Sequence, residues 1–115
     1  MGKGKRLSSG DNGLPLGEEI MKRKKTHPGE ILLEEFMKPS GLSANALSIA
    51  LHIDANRIGE IIKGKRSVTA NTALRLSSFF STTPQFWMNL QTNYDLSKEE
   101  LKDLTKDIKP FAAVN

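Results

Sequence analysis

The chain has no cysteine, few aromatic residues and no long apolar run, and the first and the last of these absences exclude several classes of protein. Without cysteine, its 115 residues can form no disulfide framework, no thiolate zinc site and no cysteine nucleophile. No apolar stretch approaches the roughly 18 residues that a membrane-spanning helix needs. Hydrophobic residues make up 37% of the chain and aromatic residues 6%. The sequence therefore predicts one small globular domain with flanking tails.

The net charge of +4 comes entirely from the first part of the chain. Residues 1–25 hold seven basic and three acidic side chains, whereas the other ninety residues carry ten of each sign. Residues 2–17 include five glycines and no helical or alternating pattern, and they lack the apolar stretch of a secretory signal peptide. We therefore predict a flexible basic extension at 1–25 and a cytoplasmic protein. The overall basicity says little about nucleic-acid binding.

From His27 onward, apolar residues recur at helical spacing, and no segment of adequate length alternates as a β-strand does. Ser43, Asp54 and Thr69 stand where N-cap residues are expected, and Pro84 follows a capping threonine. These signals predict an all-α fold. The side chains predicted to face the core include Leu47, Ala50, Leu51, Ile58, Ile61, Ala73, Leu74, Leu76, Phe80 and Trp87.

The C-terminal residues predict one additional helix. Ser97 and Glu100 have the spacing of a capping box, and Leu101, Leu104 and Ile108 follow at helical intervals. The predicted organisation is thus a flexible extension at 1–25, a domain at 26–96, and a C-terminal helix and tail at 97–115.

The second and third predicted helices are joined by a turn of about three residues, which is typical of a helix-turn-helix. A tight turn sets two short helices at a steep angle, so the second can project into a DNA major groove. Ser48 supplies a small side chain where the two helices approach each other. The predicted recognition helix is residues 55–63.

Polar side chains on the exposed face of this helix suit DNA. Asn56 and Arg57 have shapes that bind adenine and guanine edges bidentately, and Ala55 can touch a thymine methyl. Glu60 can accept from cytosine, pair with Arg57 or Lys63, or repel phosphate. The full set predicted to bind DNA is Ser43, Asn45, Ala55, Asn56, Arg57, Glu60, Lys63, Lys65 and Arg66.

Local charge supports this interpretation better than total charge does. Residues 26–54 carry one lysine and four acids, a net charge of −3, whereas residues 55–66 carry four bases and one acid, a net charge of +3. Positive potential is therefore concentrated on the predicted recognition helix and the loop after it, where it would meet phosphates. The alternative is that these are ordinary solvated side chains.

Three blocks of sequence narrow the interpretation further. Residues 42–66 resemble the helix-turn-helix of the phage-repressor-like (Xre/Cro) family. Residues 27–36, HPGEILLEEF, and 83–91, TPQFWMNLQ, with the YDL at 94–96, are similar to HigA-type antitoxins, also labelled virulence-associated protein I. The resemblance implies a five-helix lambda-repressor-like domain. It also implies a homodimeric bacterial repressor of its own promoter, bound to palindromic double-stranded DNA, with a HigB-type RNA-cleaving toxin as the neutralised partner.

Two positions depart from the family pattern. His52 stands in the turn where the wider family often has glycine, and a left-handed backbone is more costly for histidine than for glycine. Ala44 stands where glutamine is common early in the helix, so a DNA contact from that position is in doubt. The fold is expected to tolerate both changes.

The sequence also bears on three other classes of function. An enzyme is rejected because His27 and His52 are isolated, and the sequence has no glycine-rich phosphate loop or metal-ligand cluster. We therefore predict no catalytic residue, no metal, no cofactor and no small-molecule ligand. A protein-interaction module that does not bind DNA, with an aromatic stripe around Trp87 as its surface, stays open. So does a stand-alone regulator that has no toxin.

Overall fold

The computed structural model describes residues 25–112, and in that range the chain forms five helices and no β-strand. Helix α1 consists of three consecutive segments, Pro28–Ile31, Leu32–Met37 and Lys38–Ser40. The others are α2 (Ala44–Leu51), α3 (Ala55–Ile62), α4 (Ala70–Phe80) and α5 (Pro84–Glu100). Residues 25–96 form one compact unit, and residues 97–112 belong to another. The predicted all-α fold is confirmed. The extension predicted at 1–25 lies outside the described residues, apart from Lys25.

The middle segment of α1 is a π-helix, and a proline near the helix end accounts for it. The N–H of Lys38 donates to the carbonyl of Leu33, five residues earlier. In a regular α-helix the ring of Pro39 would press against the carbonyl four residues before it, and the wider turn relieves that contact. The helix then ends at Gly41, whose φ is 69°. Pro39 therefore lies inside the last turn of α1.

Four of the N-caps predicted from the sequence are confirmed. Ser43, Asp54, Thr69 and Thr83 each precede a helix, and their side-chain oxygens satisfy backbone donors that have no partner within the helix. They accept from the N–H groups of Ala46, Asn56, Thr72 and Phe86 at 3.0, 3.3, 3.4 and 3.0 Å, respectively.

The core of the domain is a single cluster around the fully buried Trp87. Its indole N–H donates to Thr82 Oγ1 at 2.8 Å, so the one polar atom of the ring is satisfied. Two residues predicted to face the core, Ala50 and Leu74, are exposed instead. Ala73 and Leu76 define the buried side of α4. Leu74 lies about 100° around the helix axis from Ala73 and therefore faces away from the core. The other buried members are Leu32, Met37, Leu47, Leu51, Ile58, Ile61 and Val68.

Buried Gln91 ties the loop after α3 to α5. Its Oε1 accepts from the backbone N–H of Val68 at 2.7 Å, and its Nε2 donates to Asp95 at 3.0 Å. Both Gln91 and Val68 are buried. The backbone donor therefore depends on this side chain rather than on water.

We expect Gln91→Ala to lower the free energy of unfolding by about 2 kcal/mol, because it leaves the buried Val68 N–H without an acceptor. Urea unfolding at equilibrium measures the loss. Gln85→Ala, an exposed glutamine on the same helix, is the matched control and should change stability little. Equal effects at the two positions would contradict the role given to Gln91.

The additional helix predicted after Ser97 is not formed in the described residues. Helix α5 runs on through Ser97 to Glu100, so this serine is helical and does not have the extended backbone of an N-cap. Residues 101–107 form turns, and Leu101, Leu104 and Ile108 are 58%, 59% and 69% exposed. The prediction was wrong because a short helix needs a buried apolar face, and each of these residues is more than half exposed.

Candidate nucleic-acid interface

The turn between α2 and α3 is built on a left-handed histidine. His52 has φ 60° and ψ 43°, and its N–H donates to the Ile49 carbonyl at 3.3 Å. The N–H of Ile53 donates to the Ser48 carbonyl at 3.0 Å, which completes a Schellman motif. The position where the wider family often has glycine is therefore left-handed here as well. Histidine occupies it at some cost in backbone strain.

Helices α2 and α3 pack through the residues that the sequence indicated. Leu47 and Leu51 of α2 and Ile58 and Ile61 of α3 are buried in the same cluster. Ser48 is 5% exposed, and its Oγ donates to the carbonyl of Asn45 at 2.7 Å, so the small side chain is satisfied within its own helix. The predicted helix-turn-helix is confirmed, and the opposite side of α3 is left facing outward.

The outward side of α3 borders a shallow depression of about 280 Å³. Its lining comes from the helix and from the loop that begins after it. Five of the six lining residues belong to the set predicted to bind DNA, and the sixth is a glycine. The lining residues are Ala55, Asn56, Gly59, Glu60, Lys63 and Lys65.

Gly59 leaves the backbone of α3 uncovered in the middle of this face. A Cβ at this position would meet no other atom within 4 Å, so the glycine is not required by packing inside the protein. Glycine in a helix interior is destabilising by roughly 0.5–1 kcal/mol relative to alanine. A glycine that lowers helix stability where internal packing does not require it fits a face that an external surface approaches closely.

Glu60 pairs with Arg66 rather than with either partner predicted for it. Arg66 Nε donates to Glu60 Oε1 at 2.7 Å, across a turn in which Gly64 has φ 77°. Both side chains are about half exposed, so the pair contributes little to stability. Within residues 25–112 the Glu60 carboxylate forms its ion pair with Arg66 and none with Lys63 or Lys65.

Arg57 does not line the depression. Its Nη2 donates to Asn71 Oδ1 at 3.0 Å and to Thr72 Oγ1 at 2.7 Å, so the guanidinium is attached to the start of α4. The sequence predicts a DNA-binding role for Arg57 but does not indicate its partners Asn71 and Thr72. The available signal was a pair of polar residues in the first turn of a helix whose apolar pattern was otherwise regular.

The remaining predicted contacts lie at the start of α2. Ser43 and Asn45 are exposed, and the Ser43 hydroxyl already caps the helix by accepting from Ala46. Free N–H groups of a first helical turn favour anions such as phosphate. The DNA-binding roles of all nine predicted residues stay predictions.

No helix between residues 25 and 112 combines the length and the apolar character that crossing a lipid bilayer requires. Within the same range, no three histidine, aspartate or glutamate side chains gather into a potential metal site.

Comparison with known proteins gives close relatives in both sequence and fold. The chain is 51% identical over 87 residues to virulence-associated protein I of Dichelobacter nodosus. The matched segment covers 76% of this chain and 79% of that protein. An addiction module antidote protein of the HigA family from Coxiella burnetii has a TM-score of 0.70 and 48% identity, covering 77% of this chain and 99% of that one.

A third similar protein was solved with DNA. Antitoxin HigA of Pseudomonas aeruginosa, in a structure with the higBA promoter, has a TM-score of 0.72 and 38% identity, covering 76% of this chain and 98% of that one. The two solved relatives are thus an antidote protein and an antitoxin. No protein-family model matches the chain.

Proposed function

This chain belongs to the HigA family of helix-turn-helix antitoxins, and on that premise we propose that it is a sequence-specific DNA-binding repressor. The observation that carries the proposal is the outward face of α3, where Asn56, Lys63 and Lys65 surround the uncovered backbone of Gly59. The Pseudomonas aeruginosa relative solved with its promoter supports DNA as the ligand of this fold.

The outward face of α3 has two chemically different parts. One suits contacts to phosphates, and the other suits contacts to bases. Lys63 and Lys65 carry exposed ammonium groups just after the end of α3, suited to phosphates, which fix register without specifying sequence. Asn56 is exposed near the start of α3, where an amide can bind an adenine edge bidentately. Ala55 and Gly59 are small, so they let the backbone of the helix lie close to the bases.

We propose that the repressor acts as a homodimer on a palindromic operator. Two-fold related recognition helices then lie about 34 Å apart, one turn of DNA. The partner proposed for the protein itself is a HigB-type RNA-cleaving toxin, with this chain as the neutralising subunit. The chain is proposed to have no catalytic activity of its own and to work in the cytoplasm, where its operator is.

Gly59→Ala is expected to stabilise the protein and weaken its binding to DNA. Alanine removes the entropic cost of glycine, so the free energy of unfolding should rise by about 0.5–1 kcal/mol. The added methyl group projects from the face proposed to contact the groove, so affinity for the promoter should fall about fivefold or more, a loss of about 1 kcal/mol. Thermal unfolding and gel shifts on the protein's own upstream DNA measure the two effects.

The gel shifts should be repeated across a salt series, because a specific repressor keeps its site at salt concentrations that remove it from random DNA. Asn89→Ala is the control, since it improves helix propensity at an exposed position of α5 without altering α3. Unchanged promoter affinity in Gly59→Ala would show that DNA does not approach this face.

A further inference from the structure

We propose that Asn71 of α4 is a positioning residue for DNA binding, which holds the Arg57 guanidinium in a fixed direction without neutralising it. Through Arg75 it also joins Arg57 to the turn after α2. The proposal rests on the DNA-binding function proposed above. It assigns a role to residues outside the set predicted from the sequence.

A single amide oxygen binds both arginines. Asn71 Oδ1 accepts from Arg57 Nη2 at 3.0 Å and from Arg75 Nε at 2.9 Å. Thr72 Oγ1 accepts from the same Arg57 nitrogen at 2.7 Å, so both hydrogens of that nitrogen are used. A guanidinium has five N–H donors. Its other three find no acceptor in residues 25–112 and stay available to a ligand.

Arg75 extends the network to the end of α2. Its Nη1 donates to the carbonyl of Leu51 at 2.8 Å and to that of His52 at 3.3 Å. The last carbonyls of a helix have no partner within it, and positive charge is favourable at that end of the helix dipole. Three parts of the domain are therefore joined through Asn71: the end of α2, the recognition helix and α4.

Because the shared acceptor, the Asn71 side chain, is neutral, it orients the two arginines without forming an ion pair with either. Neither arginine lies within 4.0 Å of a carboxylate oxygen in the part of the chain that the structure describes. Both guanidiniums are therefore fixed by neutral oxygens and keep their full charge. A carboxylate at this position would hold them more strongly but would cancel charge that phosphate could otherwise meet.

Asn71→Asp is expected to move stability and DNA binding in opposite directions. The carboxylate should form charge-assisted bonds with both arginines and raise Tm by a few degrees, whereas affinity for the promoter should fall about tenfold or more. A purely structural role for Asn71 would move the two quantities in the same direction. Asn89→Asp adds the same negative charge on an exposed face of α5 and serves as the control.

A double-mutant cycle tests whether Asn71 acts through Arg57. We expect Asn71→Ala and Arg57→Ala each to weaken promoter binding, and the double variant to bind no more weakly than Arg57→Ala alone. Additive losses would overturn the proposal, as would an Asn71→Asp variant that loses both stability and affinity.

The experiments also distinguish a failure of the role proposed for Asn71 from a failure of the proposed DNA-binding function. If Gly59→Ala weakens promoter binding and Arg57→Ala does not, the positioning role of Asn71 is wrong while the DNA-binding function stands. If the unmodified protein shows no preference for its promoter at any salt concentration, the proposed function and this inference both fall.

Discussion

The Gly29→Ala variant is expected to lose about 3 kcal/mol of its free energy of unfolding, or more, although it adds a single methyl group. Gly29 lies near the start of α1, where the helix packs against the end of α3. A Cβ built at Gly29 overlaps the carbonyl oxygen of Ile61 and lies 3.0 Å from the Cα of Ile62. Both are backbone atoms, so no side chain can rotate away, and the two helices must separate.

This separation would disturb buried residues of both α1 and α3. Gly29 and Pro28 are buried, and Ile61 is fully buried in the central cluster. A loss of 3 kcal/mol in a domain of this size lowers Tm by roughly 12–24 °C, so thermal unfolding detects it easily. Because α3 carries the proposed DNA face, promoter affinity measured well below Tm should fall as well.

Gly59→Ala is the matched control, since it makes the same chemical change in the same domain but is expected to raise the free energy of unfolding. A Cβ at Gly59 meets nothing within 4 Å. The prediction for Gly29 fails if its alanine variant is destabilised by less than about 1 kcal/mol, a cost that ordinary surface strain can produce.

The double variant Lys63→Glu and Lys65→Glu is expected to lose promoter affinity by about a hundredfold or more at moderate salt. Each replacement changes the charge by two, so residues 55–66 go from +3 to −1. Both lysines line the depression beside α3, and no carboxylate in the described residues forms an ion pair with either. The reversed charges would face phosphates and repel them, so binding to random DNA should weaken by a similar factor.

The salt dependence of binding gives a second readout. Replacing both lysines with alanine should make the slope of log affinity against log salt concentration shallower by about 0.9 for each phosphate that the protein no longer neutralises. Lys106→Glu with Lys109→Glu makes the same change in net charge on the C-terminal residues and serves as the control. If the two double variants lose affinity equally, total charge and not the α3 face governs binding.

The sequence predicts those parts of the fold that depend on local chemistry. Ser43, Asp54 and Thr69 act within three residues of themselves, so N-cap preference alone places them correctly. The buried stripe of Ile58 and Ile61 follows from helical period, and the helix-turn-helix follows from two such stripes joined by a short turn.

The features that the sequence did not predict are of two kinds. Some depend on contacts between residues far apart along the chain, and one depends on which of two local signals prevails. Arg57 bonds to residues 14 and 15 positions away, which no local pattern indicates. Arg66 reaches Glu60 only because Gly64 reverses the chain between them. At Ser97, two local signals compete: a capping box and the continuation of α5. Propagating an existing helix needs no new nucleus, and continuation prevails.

The length of α3 limits how much information one copy of the protein can extract from DNA. The left-handed residues His52 and Gly64 bracket its eight residues, so the helix spans about 12 Å, or roughly four base pairs. Four fully specified pairs carry about 8 bits, whereas selecting one site among about 10⁶ needs roughly 20 bits. Two copies at fixed spacing supply about 16 bits. On this count, the proposed operator selection requires the proposed dimer and leaves about 4 bits to the shape of the intervening DNA.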